Sequence, residues 1–226
     1  MTSYDVARRL PAIGDLRNLS RSLALLDTIL SPDREYRYHS FNSAWADGEE
    51  MASMRNGSGG EYSIVFSAAG AYVRGFDHES PMSPYANDGE VWPGVIDGVP
   101  SIFRSCVEEP AFTDEDHVPV VTACVWRETA ETRWSHGTID FPAGHDDPDG
   151  ADRLFRLLMD PSPEEYQRFA EDYYEVPVNL AAVRHVYALR PLTSALVSSL
   201  NTATSLSDVA EEIEEIGYPR QQRNSS

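Results

Sequence analysis

The sequence predicts an α+β protein in which a mostly antiparallel sheet of about six strands is packed by an N-terminal helix and a C-terminal set of helices. Three observations lead to this class. Apolar residues recur every three or four positions over residues 12–30, as on a helix that buries one face. Between residues 35 and 141, short runs of alternating apolar and polar residues are separated by turn residues. From Asp146 onward, every signal is helical.

The first predicted element is the helix over residues 12–30. Its apolar side chains form one continuous stripe, and Arg17, Arg21 and Asp27 fall outside that stripe. Pro32 ends the helix, because the residue before a proline avoids the helical conformation. We expect the stripe to pack on the sheet; the alternative is that it pairs with a second copy of the chain, and the oligomeric state is left open. The stripe consists of Ile13, Leu16, Leu19, Leu23, Leu26 and Leu30.

The predicted sheet is built around a meander in the middle of the chain. Turns at Asn56–Gly60 and at Ala69-Gly70 contain residues that tolerate positive φ, as tight hairpins require. The weakest of the predicted strands is 50–55, which has poor β propensity. The predicted strands cover residues 35–41, 50–55, the two halves of 61–76, 118–127 and 133–141.

A long irregular stretch interrupts the sheet. Residues 77–94 contain three prolines and two glycines, and a loop of this length inside a domain is often functional when it is ordered. A short helix is expected from about Pro100, whose missing N–H suits a first turn, to Pro110.

The C-terminal helices are predicted from their capping residues. Asp147 or Asp149 can cap the first, and Ser162 with Glu165 fits a capping box for the next. Further helices are expected around 180–187, from Pro191, and from a cap at Ser205 or Ser207 to a stop at Gly217. We expect a single α+β domain over residues 1–226. It comprises the N-terminal helix plus sheet (1–142), a helical part (143–218) and a frayed tail (219–226).

The charge of the chain restricts its partners. The formal net charge is -19, and all 18 basic residues are arginine. Residues 108–226 carry most of the excess, with 23 acids against 9 arginines. Such a field repels phosphate backbones and anionic membranes and attracts cationic partners. We therefore expect no nucleic acid and no membrane among the partners, and we consider a basic protein partner.

The cysteines and the N-terminus predict a cytoplasmic protein. Cys106 and Cys124 lie in apolar surroundings without a CxxC spacing, which favours buried free thiols in a reducing compartment. The first residues are too charged for a signal peptide, and no run approaches the ~20 apolar residues of a membrane span.

The first candidate site for chemistry is Asp77-His78-Glu79, at the start of the irregular loop and near Arg74 and Arg55. These side chains can bind a ligand or move protons. However, neighbouring residues on a strand point to opposite faces, so His78 would point away from Asp77 and Glu79. The sequence offers no second ligand at a recognised metal spacing, and no cofactor is predicted.

Two other motifs fail on spacing or composition. Residues 145–152 resemble a calcium loop, but Arg156 occupies the closing position, where a bidentate Glu is required. These acids fit a helix N-terminus better. The glycine-rich turn 56–60 lacks the Lys of a P-loop, and the chain contains no GxSxG nucleophile motif. His39 and His136 lie in predicted strands and are interpreted as structural or exposed.

The irregular loop also carries Met82, Tyr85 and Trp92. This mixture of adaptable and rigid apolar groups suits a protein contact. The alternative is that the loop simply covers the sheet.

Four stretches resemble a bacterial protein family to which no activity or site is assigned, so the resemblance implies no residue role. They are GFDHESPMSPY (Gly75–Tyr85), WPGVIDGVPSIF (Trp92–Phe103), FPAGHDDPDGAD (Phe141–Asp152) and AEDYYE (Ala170–Glu175). In size, acidity and a helix-flanked antiparallel sheet, the chain is similar to the SUKH-type immunity proteins of bacterial toxin systems. This likeness of architecture implies a protein that neutralises a toxin.

The leading functional hypothesis is therefore a cytosolic, non-enzymatic binding protein for a basic protein partner, such as a toxin domain. The alternative is an enzyme or small-ligand binder that uses Asp77, His78 and Glu79 with Arg55 or Arg74.

Overall fold

The computed structural model describes residues 1–220, which contain one antiparallel sheet of six strands in the order β1-β2-β3-β4-β5-β6. Each strand thus lies beside its neighbours in the sequence, as in the predicted meander. The strands are β1 (His39–Ala46), β2 (Glu49–Arg55), β3 (Gly60–Ser67), β4 (Gly70–Asp77), β5 (Ala123–Glu128) and β6 (Ser135–His136). The predicted α+β class is confirmed.

Helices precede the strands, follow them and, in one case, lie between two of them in the sequence. The N-terminal pair is α1 (Ser3–Arg9), which was not predicted, and α2 (Ile13–Leu30); the short α3 (Arg104–Val107) lies between β4 and β5. The C-terminal set is α4 (Ala151–Leu154), α5 (Arg156–Met159), α6 (Pro163–Tyr174), α7 (Leu180–Tyr187), α8 (Ser194–Leu200) and α9 (Ala210–Ile216).

The two faces of the sheet bury different cores, because successive strand residues point to opposite sides. Ile64 and Val73 belong to the larger core, together with α2 and the C-terminal helices. Val65 and Tyr72 belong to a second core, which the connection between β4 and β5 covers. Residues 78–122, which include α3, therefore form an outer layer over the sheet, opposite α2 and the C-terminal helices.

Three strands differ clearly from their predicted bounds, and the first of them also ends later than predicted, at Ala46. The first strand starts at His39, because Asp33 accepts the N–H of Glu35 and holds a 3-10 turn over Arg34–Tyr36. The fifth starts only at Ala123, since the N–H of Val120 bonds to the carbonyl of Phe112 instead of to β4.

The sixth strand, expected over 133–141, is limited to two residues. At Gly137 the backbone meets Gly94 so closely that a Cβ there would lie 1.7 Å from the Gly94 oxygen. This contact ties the chain to the outer layer and takes it away from β5.

The capping predictions were partly right. Ser162 accepts the N–H of Glu165 at 3.2 Å, and Gly217 ends α9 in the left-handed conformation at φ 66°. Two helix starts were wrong. Thr193, not Pro191, caps α8, and α9 begins at Ala210, because the serines before it form their own turn. Of the predicted frayed tail, residues 221–226 lie outside the described part of the chain.

Asp27 was placed outside the buried stripe of α2, and this is wrong: its exposed fraction is 0%. The helix is covered twice, by the sheet on one side and by α7, α8 and α9 on the other. Arg17 and Arg21 do reach the surface of this layer, where both pair with Glu50 of β2.

Asp149 ties α1 to the start of α4. Its Oδ2 accepts the N–H of Ser3 at 2.7 Å, and its Oδ1 accepts the N–H of Ala151 at 3.2 Å. Burial raises the pKa of this carboxyl from 3.8 to about 6.

The Asp149 carboxyl should make stability depend on pH. Between pH 3.8 and about 6 the folded chain holds a proton that the unfolded chain has lost, so the contribution of Asp149 falls as pH rises. The free energy of unfolding of the wild type minus that of Asp149→Asn should fall by on the order of 2 kcal/mol as the pH rises across this window. Urea unfolding at a series of pH values measures this difference. The exposed Asp146→Asn provides the control, and an equal pH slope for both variants would contradict the assignment.

Candidate functional site

The loop residues singled out from the sequence do not form one cluster. Asp77 is buried at the end of β4, and its Oδ2 accepts from Nη2 of Arg153 at 2.5 Å. Glu79 accepts from Nη1 of the same guanidinium at 3.1 Å. His78 is exposed, and its ring packs against Gly59. The structure thus brings Asp77 and Glu79 together on Arg153, while His78 lies apart, as strand alternation predicts.

The two arginines considered with this loop share a different partner. Nη2 of Arg74 lies 2.5 Å from Oε1 of Glu61, and Nε of Arg55 lies 3.6 Å from Oε2 of the same carboxylate. Arg74 is buried in β4 and also donates to the carbonyl of Val120 at 2.7 Å. These contacts give Arg74 a structural role in holding the outer layer to the sheet.

Of the loop residues Met82, Tyr85 and Trp92, only Tyr85 is exposed. Met82 is completely buried in the second core. Trp92 is half-buried and donates its indole N–H to the carbonyl of Asp140 at 3.1 Å. Tyr85 is 65% exposed, with its ring edge-on to Phe76.

A second polar cluster, not predicted from the sequence, lies deep in the larger core. Oδ2 of Asp27 accepts the backbone N–H of His39 at 2.7 Å and faces Nδ1 of the same residue at 2.8 Å. Oδ1 of Asp27 accepts the hydroxyl of Tyr166 at 2.6 Å. The side chains are 0% (Asp27) and 3% (His39) exposed. Hydrogen bonds from three donors are what allows this carboxylate to be buried.

The Asp27 contact orients the ring of His39. An ionised carboxylate only accepts hydrogen bonds, so Nδ1 of His39 is the donor in this contact. Within residues 1–220, no hydrogen bond reaches Nε2. The ring is therefore held by the protein through Nδ1 alone.

The tyrosines around this cluster remain neutral. Burial, followed by the nearby Asp27 charge, raises the pKa of Tyr166 well above 10. Burial likewise raises the pKa of Tyr62, whose ring centroid lies 6.4 Å from that of His39. Both hydroxyls therefore keep their protons throughout the ordinary pH range, and that of Tyr166 donates to Asp27.

His39 lines a cavity of about 950 Å³ on the helical side of the sheet. This volume falls within the usual range of small-molecule sites. The lining includes aromatic and aliphatic side chains: Tyr38, Tyr62, Leu154, Leu157, Met159 and Phe169. It also includes charged side chains: Arg9, Arg153, Arg156, Arg168, Asp147, Asp152, Asp160, Glu165 and Asp172.

The lining contains five carboxylates and four arginines, and three of these arginines form ion pairs. Arg156 and Arg168 both contact Glu165, Arg156 at 2.5 Å, so this trio retains one positive charge. Arg153, by contrast, pairs with both Asp77 and Glu79, so that group retains one negative charge.

Sequence reasoning missed this site because its parts are far apart in the chain. His39 was interpreted as a strand residue that is structural or exposed. The sequence contained one indication of a buried polar site. Asp27 lies four residues after the buried Leu23, and residues four apart lie on the same face of a helix, so this carboxylate belongs to the buried face of α2.

The described residues show no obvious metal centre and no membrane span. Between residues 1 and 220, no group of three or more His, Cys, Asp or Glu is arranged to hold a metal ion. No helix in that range is long and apolar enough to cross a membrane. No protein-family model, curated protein or solved structure matches the chain.

Proposed function

We propose that the protein is a non-enzymatic binding protein whose outer layer, residues 78–122, contacts a basic protein partner. One observation carries the proposal. This layer contains nine acidic residues and a single arginine, Arg104, so that its net charge is -8. A surface of one sign attracts a partner of the opposite sign and speeds their encounter.

The acidic side chains of the outer layer point into solvent. Seven of the nine are exposed, and within residues 1–220 arginine pairs only with Glu79 and Glu108 among these acids. The exposed acids of this layer are Glu79, Asp88, Glu90, Asp97, Glu108, Glu115 and Asp116.

The outer layer is held in one shape before any partner arrives. Four of its own apolar side chains are buried in the second core: Met82, Val95, Phe103 and Phe112. A surface fixed in this way loses little conformational entropy on binding.

Two apolar side chains stand out from the acidic surface. Tyr85 is 65% exposed and Ile102 is 53% exposed. A tyrosine in a charged surround is a common anchor at protein interfaces, where it fills a pocket of the partner.

The proposal retains an immunity-like mode of action, in which contact alone neutralises the partner.

The cysteines support a non-enzymatic role and a cytoplasmic location. Both are free and buried. Burial raises the pKa of Cys106 to about 11 and that of Cys124 to about 12, which suppresses the nucleophilic thiolate.

The proposal is tested by charge removal on the outer layer. The triple variant Glu108→Gln, Glu115→Gln, Asp116→Asn and the wild type serve as baits in lysate of the source cells. The basic protein captured by the wild type is then purified and titrated by calorimetry at low and high salt. We expect the triple variant to bind about tenfold or more weakly, since each rim charge contributes up to about 1 kcal/mol. We also expect the wild-type affinity to fall with salt.

A matched control removes the same charge elsewhere. Glu175→Gln, Glu211→Gln, Glu214→Gln neutralises three exposed acids of the helical part. Equal losses in both triple variants would mean that net charge, not the outer layer, attracts the partner. No basic partner, or an affinity independent of salt, would refute the proposal.

A further inference from the structure

We propose that the basic partner places an arginine side chain on the ring of Tyr85, beside the carboxylates of Asp88 and Glu90. This contact rests on the proposed function, because it is one part of the interface between the outer layer and the partner. The pocket of the partner that Tyr85 enters then carries a flat guanidinium on its wall.

Tyr85 stands in water directly after three buried residues. Met82 and Ser83 are completely buried, and Pro84 is buried as well. Tyr85 is 65% exposed, more than any other large apolar side chain within residues 1–220. Covering of the sheet accounts for the buried neighbours but not for the exposed ring.

The loop fixes the position of Tyr85 before a partner binds. The hydroxyl of Ser80 donates to the carbonyl of Pro148 at 2.6 Å, and that of Ser83 accepts the N–H of Tyr85 at 3.3 Å. The ring of Tyr85 lies against Phe76 with the centroids 5.8 Å apart and the planes at 86°. A ring held in this way loses little conformational entropy when a partner contacts it.

The ring of Tyr85 keeps one face open. In a perpendicular pair the edge of one ring meets the face of the other, so Phe76 takes one face of Tyr85 at most. The negative face of an aromatic ring attracts a cation that lies within about 6 Å of its centroid. An exposed ring with an open face is therefore suited to a cationic side chain.

The same turn supplies negative charge. The N–H of Gly89 bonds to the carbonyl of Pro84 at 2.9 Å, which folds the chain after Tyr85 back toward it. Asp88 and Glu90 flank Gly89, both are exposed, and within residues 1–220 neither pairs with an arginine. The turn thus combines an aromatic face with two carboxylates, and this combination selects a cation.

Arginine fits this combination better than lysine. A guanidinium can lie flat on an aromatic ring while its N–H groups point outward in its own plane, where they can bond to carboxylates. A lysine ammonium is compact and strongly hydrated, so it must give up water before it meets the ring. The preference for arginine should therefore depend on the ring, and the general attraction of cations on the carboxylates.

The test uses two peptides of equal charge, hexaarginine amide and hexalysine amide, titrated by calorimetry at physiological salt. We expect the wild type to bind hexaarginine more tightly than hexalysine. Tyr85→Leu should bind hexaarginine about two- to fivefold more weakly, the effect of losing one exposed cation–π contact, and hexalysine should be affected less. Tyr85→Phe keeps the aromatic face and should bind both peptides as the wild type does.

Tyr36→Leu is the matched control, because Tyr36 is 63% exposed but has Arg34 and Arg37 as neighbours in the chain. This variant should change neither titration. The ring resonances of Tyr85, assigned from the Tyr85→Leu spectrum, should shift on addition of hexaarginine, and those of Tyr36 should stay. Unmoved Tyr85 resonances, or equal hexaarginine affinities of Tyr85→Leu and Tyr36→Leu, would overturn the arginine contact.

The basic protein captured by the wild type separates a failure of this contact from a failure of the proposed function. We expect Tyr85→Leu to weaken its binding, as it weakens that of hexaarginine. If the triple variant Glu108→Gln, Glu115→Gln, Asp116→Asn weakens binding and Tyr85→Leu does not, the outer layer binds the partner without the arginine contact. If neither variant weakens binding, the proposed function fails as well.

Discussion

Replacing Asp27 by alanine is expected to lower the free energy of unfolding by about 3–5 kcal/mol, the usual cost of removing one partner from a buried polar pair. The substitution leaves three donors without an acceptor: the backbone N–H and Nδ1–H of His39 and the hydroxyl of Tyr166. Urea unfolding followed by tryptophan fluorescence measures the loss.

Two variants make the Asp27 result specific. Asp27→Asn keeps one oxygen for the donors and should cost less than Asp27→Ala. Asp15→Ala makes the same change at an exposed position of α2 and should cost under about 1 kcal/mol, since it affects only the helix N-terminus. A loss in Asp27→Ala no larger than in Asp15→Ala would show that the buried cluster does not stabilise the fold.

Replacing Gly137 by alanine should cost about 3 kcal/mol, at the upper end of the range for overpacking. The new Cβ would lie 1.7 Å from the carbonyl oxygen of Gly94, and both partners are backbone, so no side chain can rotate away. The outer layer or the sixth strand must therefore move. Thermal unfolding by circular dichroism measures the effect.

Gly14→Ala is the matched comparison for Gly137. No atom lies within 4 Å of the position where its Cβ would stand, and the residue is in α2. Because alanine favours helix over glycine by about 1 kcal/mol, this variant should be as stable as the wild type or more so. Similar losses in both variants would remove the role assigned to the Gly94–Gly137 contact.

Local periodicity predicted the elements of the fold well. The apolar spacing of Leu16 to Leu30 placed α2 within one residue of its true start, and the turns at Asn56–Gly60 and Ala69-Gly70 set the β2-β3-β4 register. These signals act between neighbours in the chain, so they can be read without the tertiary structure.

Boundaries set by distant contacts escaped the same reasoning. The end of β6 depends on Gly94, and the late start of β5 depends on Phe112, each remote in sequence from the strand that it limits. A strand propensity cannot report such contacts, because it describes only the residue and its neighbours.

The cavity over His39 could not be predicted from the sequence, for a related reason. Asp27 lies 12 residues from His39 and 139 residues from Tyr166, and only the folded core brings the three together. The outer layer was closer to prediction: its composition and its covering of the sheet could be anticipated, whereas the burial of Met82 and the exposure of Tyr85 required the structure.

The order of strands has a consequence for how the chain assembles. Strands β1 to β4 are joined by tight hairpins, so this ribbon can form early, at a small cost in loop closure. Until the long connection folds back and β5 arrives, β4 is a bare edge that a second unfinished molecule could join. Arg74 stands in the middle of that edge, and a charge at such a position discourages stacking of strands from different chains. Arg74, which in the folded chain anchors the outer layer through the carbonyl of Val120, therefore places its charge on the edge that stays open until β5 pairs.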